Sequence, residues 1–362
     1  YGQSTSTPAT GPASSEQQAM WMGKGPAKRR NRLLMRGLIT LTALALVSCG
    51  NSGDEPVEAT TSSITDSQAT STTMATPTDT TTTSTQAPPA SDLEDWVRVA
   101  HSSEVFGGDG SQEMNAVVQW GSGFLAVGGD GDDPDRNAAV WVSDNGLDSS
   151  RIFSPEGLHA DGLQTLNAVA IGGPGIVAVG TSAPGNHKDD AAVWTSTDGH
   201  DWLRVRDDSG VFTGPGDHQM LDVALTESGF VAVGLVGSLD SIDAAVWTSH
   251  DGLTWSRIPH NDETFGGGGI QFMSGMAVGS FGVLAVGGDD SGGDLDAAAW
   301  LSPDGIVWTR VLEDGALGGP GDQAIANITV GGPGLVAVGR EKTGTDFDAA
   351  AWTSPDGVEW TR

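Results

Sequence analysis

One stretch recurs through residues 93–362, and it constrains the fold more than any other feature of the chain. It is most complete at 296–310, Asp-Ala-Ala-Ala-Trp-Leu-Ser-Pro-Asp-Gly-Ile-Val-Trp-Thr-Arg. Its first tryptophan returns as Trp141, Trp194, Trp247, Trp300 and Trp352, in steps of 53, 53, 53 and 52 residues. An Ala-Val-Gly triplet keeps nearly the same step, ending at Gly128, Gly180, Gly234, Gly287 and Gly339. Inside each unit the apolar residues alternate or run in short blocks, as in Leu125-Ala126-Val127 and Phe230-Val231-Ala232-Val233. That is a strand pattern; a helix would repeat apolar residues every three to four positions.

Each unit divides into four short strands, A to D. Strand A is typified by Met220-Leu221-Asp222-Val223-Ala224-Leu225, strand B by Phe230–Gly234, strand C by Asp243–Thr248 and strand D by Trp255-Ser256-Arg257-Ile258. Tight turns join A to B, at Gly121-Ser122-Gly123, Gly172-Gly173-Pro174-Gly175 and Glu227-Ser228-Gly229. A four-stranded unit has two faces and too little apolar surface to be stable alone, so units with this period stack around an axis. The expected fold is all-β: a β-propeller of four-stranded blades with a repeat of about 53 residues, in five complete copies.

The turn between strands C and D carries the most specific signal. It reads Ser196-Thr197-Asp198-Gly199-His200-Asp201-Trp202 and returns around Asp251, Gly252 and Trp255, around Asp304, Gly305 and Trp308, and around Asp356, Gly357 and Trp360. The first copy has drifted to Ser143-Asp144-Asn145-Gly146-Leu147-Asp148-Ser149. An Asp before a Gly can bond nearby backbone N–H groups while Gly takes the strained position, and the Trp covers the turn. The pattern resembles the Asp-box, or BNR repeat, of sialidase-like propellers, one residue shorter because Asp and Gly are adjacent. The resemblance covers about 93–362. It implies that these Asp, Gly and Trp residues are structural and lie away from the active face. The family's chemistry needs a Tyr nucleophile with Glu, Asp and three Arg partners. The sole tyrosine here is Tyr1, outside the repeats, so sialidase catalysis is not expected, and a kelch-type copper-radical oxidase, which needs Tyr and Cys, fails on the same ground. The periplasmic TolB-like propellers share Ser-Pro-Asp-Gly turns but have shorter repeats.

Residues 1–49 read as an N-terminal extension and export signal. Lys24, Lys28, Arg29, Arg30, Arg32 and Arg36 precede an apolar run from Leu38 to Val47, too short for a spanning helix, which needs about 20 residues. Leu46-Val47-Ser48-Cys49 looks like a bacterial lipobox, which implies cleavage before Cys49 and lipidation of its thiol. Cys49 is the only cysteine, so a disulfide within the chain is not expected. Residues 50–92 are Thr-, Ser- and Pro-rich with almost no large apolar residue, the composition of an extended tether. The expected location is therefore the outer or periplasmic face of a membrane, reached through a Cys49 lipid anchor in the bilayer. Residues 93–362 hold the propeller. Trp96-Val97-Arg98-Val99 matches a D strand, as in Trp308-Thr309-Arg310-Val311. Two arrangements accommodate it: a ring of six or more blades, or a closed five-bladed ring with Trp96–Val99 as an extra edge strand.

In a propeller the D–A and B–C loops share one face, which is therefore the candidate functional rim. From the D–A loops the candidate ligand residues are Asp109, Gln112, Asp217, Gln219, Gln271, Asp322 and Gln323. The B–C loops are acidic, and Asp294 with Asp296 and Asp346 with Asp348 are candidate calcium ligands, since calcium takes several carboxylate oxygens. Three readings fit the rim: solvated corner loops, a binding face for a glycan or a protein, and a calcium site. With 40 acidic against 11 basic residues over 93–362, the surface repels phosphate backbones, and nucleic acid is not an expected partner. The leading expectation is a non-catalytic binding module. The alternative is a glycoside hydrolase using two rim carboxylates.

Overall fold

In the computed structural model of the chain, residues 98–362 are described, apart from 154, 174, 187, 239, 240, 313, 314 and 333. They form five antiparallel sheets, each a run of consecutive strands. Blade 1 holds β1 (Gln112–Trp120), β2 (Gly123–Asp130), β3 (Asn137–Ser143) and β4 (Ser149–Ile152). A single-turn helix, α1 (Pro155–Leu158), leads to blade 2, with β5 (Leu163–Gly172), β6 (Gly175–Ala183), β7 (Asp190–Ser196) and β8 (Leu203–Arg204). Blade 3 holds β9 (Asp217–Thr226), β10 (Gly229–Ser238), β11 (Ser241–Ser249) and β12 (Ser256–Arg257). Blade 4 holds β13 (Gln271–Gly279), β14 (Gly282–Asp289), β15 (Asp296–Ser302) and β16 (Thr309–Arg310). Blade 5 holds β17 (Gln323–Gly331), β18 (Gly334–Thr343) and β19 (Asp346–Ser354), with a Thr353–Thr361 bridge where a fourth strand stands elsewhere. The fold is a five-bladed β-propeller. D strands are shorter than their sequence pattern, but Val205, Ile258 and Val311 still donate to Val193, Val246 and Ala299 at 2.9 Å. Arg98–Ala100 are not in a strand, and Trp96 and Val97 lie outside the described residues, as do Cys49 and the tether.

The core lies between blades. Between blades 2 and 3, Val177, Val179 and Val193 meet Met220, Phe230, Trp247 and Trp255. Between blades 3 and 4, Val231, Val233 and Val246 meet Met273, Val283, Trp300 and Trp308. The joints 1–2 and 4–5 repeat this arrangement. Strand B therefore supplies both faces by alternation, and the strand C tryptophan of blades 2 to 5 faces the preceding blade. Its indole N–H donates to a carbonyl of the incoming D–A segment: Trp141 to Val105 at 2.7 Å, Trp194 to Gly157 at 2.9 Å, Trp247 to Val211 at 2.9 Å, Trp300 to Thr264 at 2.7 Å and Trp352 to Ala316 at 2.9 Å. Burying each such side chain is worth about 1.5–3 kcal/mol.

The recurrent glycine of strand B has a specific cause. Every A strand carries a one-residue irregularity opposite it, at Asn115, Asn167, Leu221, Ser274 and Ala326. The bulge presses the A-strand backbone against the glycine, so that a Cβ at Gly234 would land on the carbonyl oxygen of Gln219, and one at Gly180 on that of Thr165. The same bulge turns polar side chains toward the next blade. Asn115 Nδ2 donates to Leu166 O at 2.9 Å, Asn167 Nδ2 to Met220 O at 2.8 Å and Ser274 Oγ to Ile325 O at 2.7 Å. In blade 3 the bulge residue is Leu221, and its neighbour Asp222 makes the bond instead, accepting the Met276 N–H at 2.7 Å.

The C–D turns share one geometry. Asp251 Oδ1 accepts the N–H groups of Leu253 and Thr254 at 2.9 and 2.7 Å, Ser249 Oγ accepts that of Gly252 at 2.9 Å, and Trp255 Nε1 donates to Gly252 O at 3.0 Å. Asp198, Asp304 and Asp356 repeat this, and Asn145 does so in the drifted first copy, where its Oδ1 takes the N–H groups of Leu147 and Asp148 at 2.8 Å. Each of the four carboxyls is held below the usual carboxylate range, chiefly by these backbone donors.

Two outcomes follow for stability. Gly234→Ala, which has no room to relax, lowers unfolding free energy by on the order of 3 kcal/mol in urea titration. Asp251→Asn is nearly neutral at pH 7 because Asn145 shows that an amide oxygen serves the turn, whereas Asp251→Ala costs about 1 kcal/mol.

Candidate ligand-binding rim

The D–A and B–C loops meet on one face through backbone bonds: Gly131 N to Ser111 O at 2.8 Å, His218 N to Asp189 O at 2.7 Å, Gln323 N to Leu295 O at 2.5 Å and Lys342 N to Asp322 O at 2.7 Å. The opposite face gathers the A–B and C–D turns, where Ser228 Oγ donates to Asp304 O at 3.2 Å. The two loop families thus share a rim as the repeat pattern requires.

Most of the candidate ligand residues are turned into the loops themselves. Gln112, Gln164, Gln271 and Gln323 each send Nε2 to the carbonyl three residues back, on Asp109, Asp161, Gly268 and Pro320, at 3.3, 3.3, 2.8 and 3.1 Å. The Gln is therefore a repeated brace for the D–A corner. Gln112 and Gln271 extend that brace to Asp130 Oδ1 at 2.9 Å and Asp289 Oδ1 at 2.8 Å. Strand D arginines complete it: Arg151 reaches Asp130 Oδ2 at 3.1 Å, and Arg310 pairs with Asp289. Gln219 is buried and donates to Asp189 Oδ2 at 2.6 Å, while Asp217 Oδ1 accepts the Asp189 N–H at 3.0 Å. Asp322 is held below the usual carboxylate range, first by its bond from Lys342 at 2.9 Å. Asp109 alone of the seven candidates is exposed.

The four aspartates considered for calcium are dispersed. Asp294 Oδ2 accepts the Gly321 N–H at 3.0 Å. Asp296 lines a cavity of about 110 Å³ together with Asp289 and the Arg310 guanidinium. Asp346 is exposed, and Asp348 is bonded by Thr343 Oγ1. Among the described residues no group of three or more His, Cys, Asp or Glu is arranged to hold a metal ion. Two strand D arginines stack on the strand C tryptophan, Arg204 over Trp194 at 5.6 Å and Arg310 over Trp300 at 5.7 Å, rather than on the tryptophan two residues before them.

Two features are absent from the repeat pattern, one on this face and one inside the ring of A strands. A polar hollow of about 470 Å³ opens between blades 1 and 2, lined by Asp135, Asn137, Ala160, Asp161, Gly162 and Gly185. Closer to the axis, burial pushes the Asp222 carboxyl up to about 7, against the pull of the Met276 and Val223 N–H groups. A polar residue inside the apolar alternation of strand A was the only sequence trace of the second feature. The hollow left none, because its walls come from loops of two different blades.

No protein-family model matches the chain, and no curated protein matches it. The fold does match solved structures of glycoside hydrolases. A thermostable family-43 glycoside hydrolase aligns over 68% of this chain and 90% of its own, at 13% identity and a TM-score of 0.41. A glycoside hydrolase from Parabacteroides distasonis, so described provisionally, aligns over 55% of this chain and 74% of its own, at 14% identity and a TM-score of 0.39. A GH32 β-fructofuranosidase from Bombyx mori aligns over 62% and 55%, at 12% identity and a TM-score of 0.40.

The raised Asp222 pKa sets a pH dependence with a definite sign. Unfolded, the carboxyl titrates near 3.8; folded, it keeps its proton to about 7. The contribution of this group to folding is therefore largest below pH 4 and is lost as pH rises through that window. Asp222→Asn removes the penalty and keeps an acceptor for Met276. Thermal unfolding should show the variant equal to the parent at pH 4 and more stable at pH 8, by about 1–4 kcal/mol.

Proposed function

We propose that the chain is an exported lipoprotein whose propeller acts as a non-catalytic binding module, taking a polyhydroxylated ligand of the glycan class on the D–A/B–C rim. The hollow between blades 1 and 2 is the observation that carries this reading. Its size suits a small polar group, and Asp135, Asn137 and Asp161 line it with the acceptors and amide donors that sugar hydroxyls require. The other rim carboxylates support the reading from the opposite side. Asp130, Asp189, Asp289 and Asp322 are each engaged by Gln, Arg or Lys within the protein, which suits braces better than a reacting pair. The likeness of the C–D turns to the Asp-box repeat fits a scaffold role for them. Anchoring through Cys49 rests on the order of basic residues, apolar run and lone cysteine, with 50–92 as the spacer that holds the module off the bilayer.

A glycoside hydrolase is the second reading, and Asp222 is the observation that favours it. A carboxyl that keeps its proton to about 7 is suited to act as a general acid at neutral pH, and it lies on β9, among the strands linked blade to blade by the bulge residues. One assay separates the two. Purified protein is incubated with bacterial cell-wall polysaccharide, and retained protein and released reducing ends are measured in the same tube. Retention without release is expected, weakened about ten-fold or more by Asp135→Ala with Asp161→Ala and unchanged by Asp222→Asn. Retention indifferent to the double variant removes the hollow as the site, and release abolished by Asp222→Asn establishes the hydrolase.

A further inference from the structure

Blade 5 departs from the other copies at two neighbouring positions, and a cavity lies beside both. The first is the residue after the strand B glycine. It is Gly129, Thr181, Leu235 and Gly288 in blades 1 to 4, and Arg340 in blade 5. The second is the bulge residue of strand A, which is Asn115, Asn167, Leu221 and Ser274 in the earlier blades and Ala326 in blade 5. In blade 3 the corresponding pair, Leu235 and Leu221, is buried in one apolar cluster with Phe272. In blade 5 the bulge carries its smallest side chain, and the space next to it is open.

The cavity, of about 210 Å³, is walled by Phe272 of β13, by Ala324, Ile325 and Ala326 of β17, and by Val338 and Arg340 of β18. Phe272, Ala324 and Ile325 are buried. Ser274 also borders it, but its hydroxyl is bonded to Val286 O and Ile325 O at 3.1 and 2.7 Å. Arg340 is therefore the one charged group on a largely apolar wall. The cavity opens beside Val338, which is 47% exposed where Val127, Val179, Val233 and Val286 are 0% exposed.

The Arg340 guanidinium stands 4.4 Å from the centre of the Phe347 ring, an attraction that leaves its N–H donors free for an anion. Among the described residues it has no ion pair and no side-chain hydrogen bond. Asp322, a carboxylate whose charge acts on it, is committed to Lys342 Nζ at 2.9 Å. Burial pulls the guanidinium below its ordinary pKa, yet an arginine stays charged. A cation partly withdrawn from water beside an apolar void sets two requirements on one ligand. It needs a planar anion for the guanidinium and an apolar body for the void.

We propose that this cavity binds a small carboxylate with an apolar body, of the aromatic or branched aliphatic class. The carboxylate lies on Arg340 and the body lies against Phe272, Ile325 and Ala326. The site is separate from the hollow between blades 1 and 2 and does not depend on it. Its volume is below the range of about 300–1,000 Å³ that suits drug-sized ligands, so the ligand has about ten non-hydrogen atoms.

The test titrates phenylacetate and isocaproate into the full chain and follows binding by saturation-transfer NMR. At least one of them should bind with a Kd of about 1 mM or tighter. Phenethyl alcohol, which keeps the ring and loses the charge, should bind about ten-fold more weakly than phenylacetate, and phenethylamine more weakly still. Arg340→Leu installs the residue of blade 3 and should cost the acids about ten-fold in affinity. Ala326→Leu installs the bulge residue of blade 3, fills the cavity and should abolish binding of acid and alcohol alike. If neither variant folds, the ranking of acid, alcohol and amine on the parent chain decides the matter. The proposal is overturned if neither acid binds at about 10 mM, or if the alcohol or the amine binds as tightly as phenylacetate. It is equally overturned if folded Arg340→Leu or folded Ala326→Leu keeps the parent affinity for the acids.

Discussion

Everything in this protein depends on hiding both faces of a four-stranded sheet. A single blade of about 53 residues cannot do so alone, and the solution is a joint in which the valines of strand B and the residues of strand C on one blade meet the large side chains of the next. The stacking direction is polar. Trp194, Trp247, Trp300 and Trp352 always look backward, and their indole N–H groups need an acceptor once buried. The D–A segment supplies it. Core formation and loop placement are thus one event: the tryptophan that fills the joint also pins the loop that reaches the rim.

Near the axis the same economy appears in the bulges. An extra residue in strand A disrupts a ladder that must otherwise be complete, and the opposing strand B position has no room for a side chain, which is why Ala-Val is followed by Gly five times. The disruption is put to use because Asn115, Asn167 and Ser274 reach across and satisfy a carbonyl on the next blade. Blade 3 departs from the rule. With Leu221 at the bulge, Asp222 makes the connection as an acceptor instead.

Aspartate therefore plays opposite parts in one fold. In the C–D turns it is exposed and accepts two or more donors, so its charge is stabilised and its pKa falls. On the rim it is matched with Gln, Arg or Lys and holds corners together. At position 222 it is packed between two blades with two N–H donors, too few to offset its desolvation, and it keeps its proton to about 7. The large acidic excess of the chain therefore says little about where its chemistry lies, because what separates a brace, a turn cap and a proton-holding carboxyl is the environment of each.

The amino-acid sequence by itself determined the strand count, the strand order, the phase of the blades and the C–D turns. These depend on local periodicity, on Gly and Asp at fixed offsets, and on tryptophans that recur in step. It also placed the acidic loops on one face, since that follows from antiparallel order. It did not reveal that Gln112, Gln219, Gln271 and Gln323 are braces, that Trp194 and Trp300 are the tryptophans the arginines cover, that Asp222 links two blades, or that Asp135 and Asp161 wall one hollow. Tertiary structure alone decided these, because each depends on groups from different blades or far-apart loops brought together by packing. It also left Val338 and Met114 in solvent where their counterparts are buried. A repeat specifies the joint, but only the three-dimensional arrangement determines which copies of that joint are made.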